Sequence, residues 1–155
     1  MQLQAFTTIL QGPDGLEAPY QQHQLLIDAP GVSFARLGLE ATWARHDRVA
    51  RVVRTGVRAM GLQLMAAEEA ACANLTVIMA DDQFLPQAYF DFMIEEYGMQ
   101  VGLGLGEYLT RSVRIGHMGL NANLEAVVPC LVGFEQFLRL QGHDVPRGAS
   151  LAGLE

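Results

Sequence analysis

The chain contains no lysine. Ten basic side chains occur among its 155 residues, and all are arginine: Arg36, Arg45, Arg48, Arg51, Arg54, Arg58, Arg111, Arg114, Arg139 and Arg147. Chemistry that needs an amine side chain, such as Schiff-base catalysis, is therefore excluded for this chain acting alone. Cysteine is nearly as scarce. Cys72 and Cys130 stand far apart without C-x-x-C spacing, which fits a reduced cytoplasmic setting rather than a disulfide framework. The histidines are His23, His46, His117 and His143; none is paired at metal spacing with another His or Cys, so no metal is expected. Long apolar runs are missing too, so no membrane span is expected. The opening "MQLQAFTTIL" lacks the basic region and apolar core of a signal peptide. Positive charge is in deficit: the net charge of -7 and pI near 5.0 argue against a nucleic-acid or anionic-membrane partner.

What is present suits one globular domain. Half the residues are hydrophobic and 17% are charged, enough to build a core and too little charge for disorder. Residues 1–32, rich in Gln, Pro and Gly, have no sustained period and read as an irregular arm. From Ser33, a plausible N-cap, to Met60, before Gly61, the period becomes helical. Trp43, Val49, Ala50, Val53, Val57 and Met60 fall within one arc of roughly 120°. Arg45, Arg48, Arg51, Arg54 and Arg58 occupy the opposite half, read as a solvated face because no aromatic residues interleave.

"LTVIMA" (75–80) reads as a strand, with Asp81 and Asp82 opening the turn after it. Pro86 suits a first helical position and Gly98 a stop; Phe90, Met93, Ile94 and Tyr97 form the expected core stripe between them. "MQVGL" (99–103) and "SVRIGH" (112–117) read as two more strands. The loop "GLGLGEYLTR" joins them; its Gly102, Gly104 and Gly106 mimic a phosphate loop but lead into a strand, so a dinucleotide site is rejected. A last helix is expected over Leu124–Leu140, capped by Asn123, with Pro129 kinking it or delaying its start. The predicted fold class is α+β: a small antiparallel sheet of about three strands with a long N-terminal helix and two further helices on one face.

Arg114 is the residue with a sharp reading. Alternation places Val113 and Ile115 toward the core and Arg114 on the other face. Its planar, permanently charged fork suits bidentate binding of a carboxylate. A solvated surface arginine is the plainer alternative. Gly116 and Gly119 in "IGHMG" suggest that the backbone passes close to something. His117, three residues from Arg114 at the strand's end, is a candidate to line the same site, alongside a purely hydrogen-bonded role.

"VRIGHMGLNAN" resembles the C-terminal signature of class V, fold-type I aminotransferases similar to alanine–glyoxylate and serine–glyoxylate aminotransferase. "GLEATWARHDRVARVVRTGVRAMGLQL" (38–64) resembles the helix opening that family's small domain. "IEEYGMQVGLGLGE" (94–107) resembles its helix–turn–strand and GLG loop, and "LQGHDVPRGASLAG" (140–153) its bacterial tail. The resemblance covers residues 33–153, with the motifs in the family's order. It implies a C-terminal domain that packs on a large domain, or a complementing chain, carrying pyridoxal phosphate. Arg114 takes the place of the arginine that holds the substrate carboxylate, with Gly104, Gly106 and His117 as candidate lining. No catalytic or cofactor-binding residue is assigned, because the family's cofactor lysine and phosphate ligands lie outside this segment. The implied activity is amino transfer from a small amino acid, alanine or serine in type, to glyoxylate or a similar 2-oxo acid, in a homodimer when complete. The chain alone is expected to be inactive and to bind no cofactor covalently. The alternative is a stand-alone α+β binding or interaction module that kept the fold without catalysis.

Overall fold

The computed structural model describes residues 38–154. The expected arm over 1–32 and the Ser33 cap lie outside the described residues. By its internal contacts the chain divides into two units, Met1–Thr42 and Trp43–Glu155; beyond the helix that crosses the boundary, the description concerns the second.

Helix α1 spans Leu39–Ala59 and is followed by Gly61 at φ 80°. Val49, Ala50, Val53, Val57 and Met60 are buried as the period requires, but Trp43 is 58% exposed and takes no part in the core. The arginine face also departs from the solvated reading. Arg48, Arg51 and Arg58 are exposed, whereas Arg54 is only 9% exposed. Its Nε and Nη2 donate to Oε1 of Glu68 at 2.9 and 2.6 Å, and Arg58 Nη2 donates to Oε2 of the same carboxylate at 2.6 Å. Arg45 reaches across to donate to the carbonyls of Gly119 and Ala122, so a charged donor closes the turn there.

Strand β1 (Gln63–Leu64) pairs antiparallel with β2 (Leu75–Met79). After β2, Asp81 and Asp82 make the turn at φ 39° and 62°. Helix α2 spans Pro86–Tyr97, with Pro86 in its first turn. It stops at Gly98, whose φ of 61° lets its N–H reach the last carbonyls. On α2 the core positions are Tyr89 and Met93, while Ile94, assigned to the stripe from its spacing, is 44% exposed. Strand β3 covers only Gly102–Leu103 of the expected 99–103, and β4 covers Ser112–Gly116. The sheet order is β1-β2-β4-β3, antiparallel throughout. The fourth strand beyond the three expected is β1, too short to show a period in the sequence.

Helix α3 spans Leu124–Leu140, the bounds expected, and the Asn123 side chain accepts from the Ala126 N–H at 2.8 Å. Pro129 sits inside it without delaying the start. The three helices of the described residues and one face of the sheet share a single core, including Val53, Ile78, Met93, Val113, Ile115 and Phe134. Tyr89 stacks on Phe134 at 3.9 Å between ring centroids, and Phe84 meets Phe134 edge-on at 5.1 Å; such pairs add about 0.5–1.5 kcal/mol beyond area burial. Cys130 is buried beside Tyr89, and burial pushes its thiol up to about 11. Cys72 is exposed ahead of β2, its Sγ donating to the Leu75 carbonyl at 3.4 Å. The tail is held by Glu135, which accepts from the backbone N–H of Gly148 and Ser150 and from the Ser150 hydroxyl.

Candidate functional site

The site follows from the pairing of β2, β4 and β3. Directly opposed residues share a face, so Thr76, Ile78, Val113, Ile115, Leu64 and Leu103 point to the helices. The row Val77, Arg114, Gly102 lies on the other face. Val113 and Ile115 are buried and Arg114 is half-buried, which is the alternation expected.

Arg114 is held at one point. Its Nε donates to the Leu103 carbonyl at 2.7 Å, and no carboxylate among the described residues pairs with it. Nη1 and Nη2 are thus left side by side, a two-donor edge that matches a carboxylate. The side chain crosses β3 at Gly102: a Cβ there would lie 3.2 Å from Arg114 Cβ and 3.3 Å from Nε.

The structure does not bring His117 to this edge. His117 is 0% exposed and lies on the helix-facing side, opposite Arg114. Its Nδ1 lies 3.1 Å from the Ala73 carbonyl and its Nε2 2.8 Å from Thr76 Oγ1. A carbonyl only accepts, so Nδ1 carries the proton, and neutral Nε2 accepts from the threonine hydroxyl. Gly104 is buried where the loop closes on itself, its N–H donating to the Ser112 carbonyl at 2.9 Å. Gly106 is exposed, in the 3-10 turn Gly106–Tyr108. Gly116 and Gly119 have nothing within 4 Å of an added Cβ, so no close backbone approach accounts for them in this chain. The sequence missed the Leu103 carbonyl as Arg114's anchor. The run "GLGLG" was a signal for it, since strand glycines mark close approach of another group.

Burial lowers the His117 pKa below its ordinary 6.5, Arg54 and His46 push the same way, and the Ala73 bond opposes them. The unfolded chain therefore takes up a proton that the folded chain refuses. Stability from this source is complete above pH 6.5 and is lost as pH falls toward the folded value. We expect the urea midpoint of the wild type to fall between pH 7.5 and pH 5.5, and that of His117→Asn to change less over the same interval. That interval stays above the carboxylate range, so the lowered pKa values of Glu68 and Glu135 do not contribute. Equal slopes for the two proteins would remove His117 as the cause.

The described residues contain no His, Cys, Asp or Glu group able to hold a metal ion, and none of the described helices is long and apolar enough to cross a membrane. No family model matches the chain. Among curated proteins it is 32% identical over 115 residues to the pyridoxamine–pyruvate transaminase of Mesorhizobium japonicum, covering 74% of this chain and 29% of that protein. It is 32% identical over 116 residues to the serine–glyoxylate aminotransferase of Arabidopsis thaliana, again covering 74% and 29%. Its fold superposes on the crystal structure of the Mesorhizobium loti pyridoxamine–pyruvate aminotransferase with a TM-score of 0.73 at 31% identity, over 78% of this chain and 31% of the other. The proteins it resembles are class V aminotransferases. The chain spans about 29% of the length of these curated relatives. Their partial coverage is consistent with a C-terminal domain of an aminotransferase. The α+β sheet and its helices match that domain.

Proposed function

We propose that residues 33–153 act as the C-terminal domain of a class V transaminase and that Arg114 holds the α-carboxylate of a small amino acid and its 2-oxo acid counterpart. The observation that carries this reading is the free two-donor edge of Arg114 on the sheet face away from the core, pinned through Nε to Leu103. A guanidinium so placed fixes the substrate at two oxygens, which sets its rotation as well as its distance. The amino donor is of the alanine or serine type and the acceptor is glyoxylate or a similar acid. A large domain or complementing chain supplies the cofactor, and the complete enzyme is a cytoplasmic homodimer.

The residues present do not fit pyridoxal phosphate by themselves. A covalent hold on an aldehyde needs an amine side chain, and the chain has no lysine. No step on the cofactor is assigned to this chain; its own residues bind and orient the substrate. Two measurements follow. Incubation with pyridoxal phosphate and borohydride is expected to leave every side chain unmodified by intact mass, and a stoichiometric side-chain adduct would contradict this. Mixing or fusing the chain with a family large domain that lacks its own C-terminal third is expected to restore transamination of alanine with glyoxylate. A well-folded complex without activity would favour the stand-alone binding module.

A further inference from the structure

We propose that Gly102 is a positioning residue for Arg114: the absence of a side chain at 102 fixes where the guanidinium fork lies. The proposal rests on the reading of Arg114 as the carboxylate-binding residue and extends it to a position that touches no substrate. Gly102 and Arg114 are directly opposed across β3 and β4. In most such pairs two Cβ atoms hold the side chains apart, upright on the face. Here an added Cβ would meet Arg114 Cβ at 3.2 Å, Nε at 3.3 Å and Nη2 at 3.4 Å. The arginine therefore lies down across β3 instead of standing. Lying there, its Nε reaches the carbonyl of Leu103, the next residue on the same strand, at 2.7 Å.

Two features of one short strand thus act together. Gly102 provides the trough and Leu103 the anchor. With Nε occupied, only Nη1 and Nη2 are free, so a carboxylate must dock end-on. A methyl at 102 lifts the side chain by a few tenths of an ångström and lengthens the Nε bond, and a branched side chain removes it. Backbone strain plays no part, since Gly102 is not among the positive-φ glycines.

Gly116 supplies the control. It lies two residues from Arg114 on the same face of β4, is not at positive φ, and has nothing within 4 Å of an added Cβ. Arginine side-chain NMR on the full chain, with the amide spectrum as the folding check, reads the geometry directly. The Arg114 Nε–H is expected to exchange slowly with water in the wild type and in Gly116→Ala. In Gly102→Val its exchange should quicken about tenfold, the scale of losing one hydrogen bond from a charged donor. Gly102→Ala should fall between and serves alone if the valine variant does not fold. A titration with pyruvate should shift the Arg114 terminal N–H signals of the wild type, with the apparent Kd rising about tenfold in Gly102→Val as the fork is lost. Wild-type exchange at Arg114 Nε–H in a folded Gly102 variant would overturn the proposal. Freed Nε–H in Gly102→Val, together with a wild-type Arg114 that ignores pyruvate, would uphold the positioning and sink the carboxylate reading.

Discussion

Arg114→Ala is expected to lower kcat/KM for alanine with glyoxylate by roughly 30-fold to several thousand-fold in the chain joined to a family large domain. The carboxylate carries a full charge into a partly dry cleft, and removing its partner from a desolvated charge pair costs about 2–5 kcal/mol. At about 1.4 kcal/mol per decade this gives the stated range. Arg114→Lys should recover only part of the loss, because the ammonium keeps the charge and cannot offer the paired donors or reach Leu103 in the same way. Arg51, exposed on α1, is the comparison, and Arg51→Ala should leave the rate near wild type. Circular dichroism separates loss of binding from loss of fold. Equal rates for the two alanine variants would make Arg114 an ordinary surface residue.

Gly104→Ala should destabilise the chain by about 3 kcal/mol or more, since overpacking against fixed backbone exceeds the usual cost of a tight core. A Cβ at 104 would sit 1.9 Å from the Tyr108 carbonyl oxygen and 2.5 Å from Ser112 Oγ. Neither can move aside cheaply. The Tyr108 carbonyl accepts from both the Arg111 N–H and the Ser112 hydroxyl, and the Gly104 N–H is bonded to Ser112. Gly106 tests the mechanism. It is at φ 56° with nothing within 4 Å of its added Cβ, so Gly106→Ala should cost only the backbone term of about 1–2 kcal/mol. Urea unfolding at fixed pH measures both. Equal losses at 104 and 106 would mean that the packing collision is not what the glycine avoids.

Local signals carried much of this fold. The Asn123 cap and the apolar period of "LEAVVPCLVGFEQFLRL" mark α3 at both ends, because capping and periodicity act within a few residues. The alternation around Arg114 was legible for the same reason. What escaped was set by residues distant in sequence. Arg54 satisfies the period of a solvated face, and only Glu68, brought over by the chain after β1, draws it inward. Arg45 reads as exposed until the Gly119 turn arrives 74 residues later. His117 and Arg114 are three residues apart, an odd number, so a strand must send them to opposite faces; nearness in sequence suggested a shared site that pleating forbids. Gly102 read as part of a loop motif, and its role appears only once β3 and β4 are placed in register.

The two cysteines give the chain a practical asymmetry. Cys130 is walled in and its thiol stays protonated at neutral pH, while Cys72 is open to solvent. A maleimide dye will therefore mark one position, and amine-directed reagents will find no side chain to attack. That position adjoins Ala73, whose carbonyl holds the His117 ring. A fluorophore at Cys72 would sit beside the segment that holds the His117 ring, and its emission would report on that end of β2 in a chain otherwise free of competing labels.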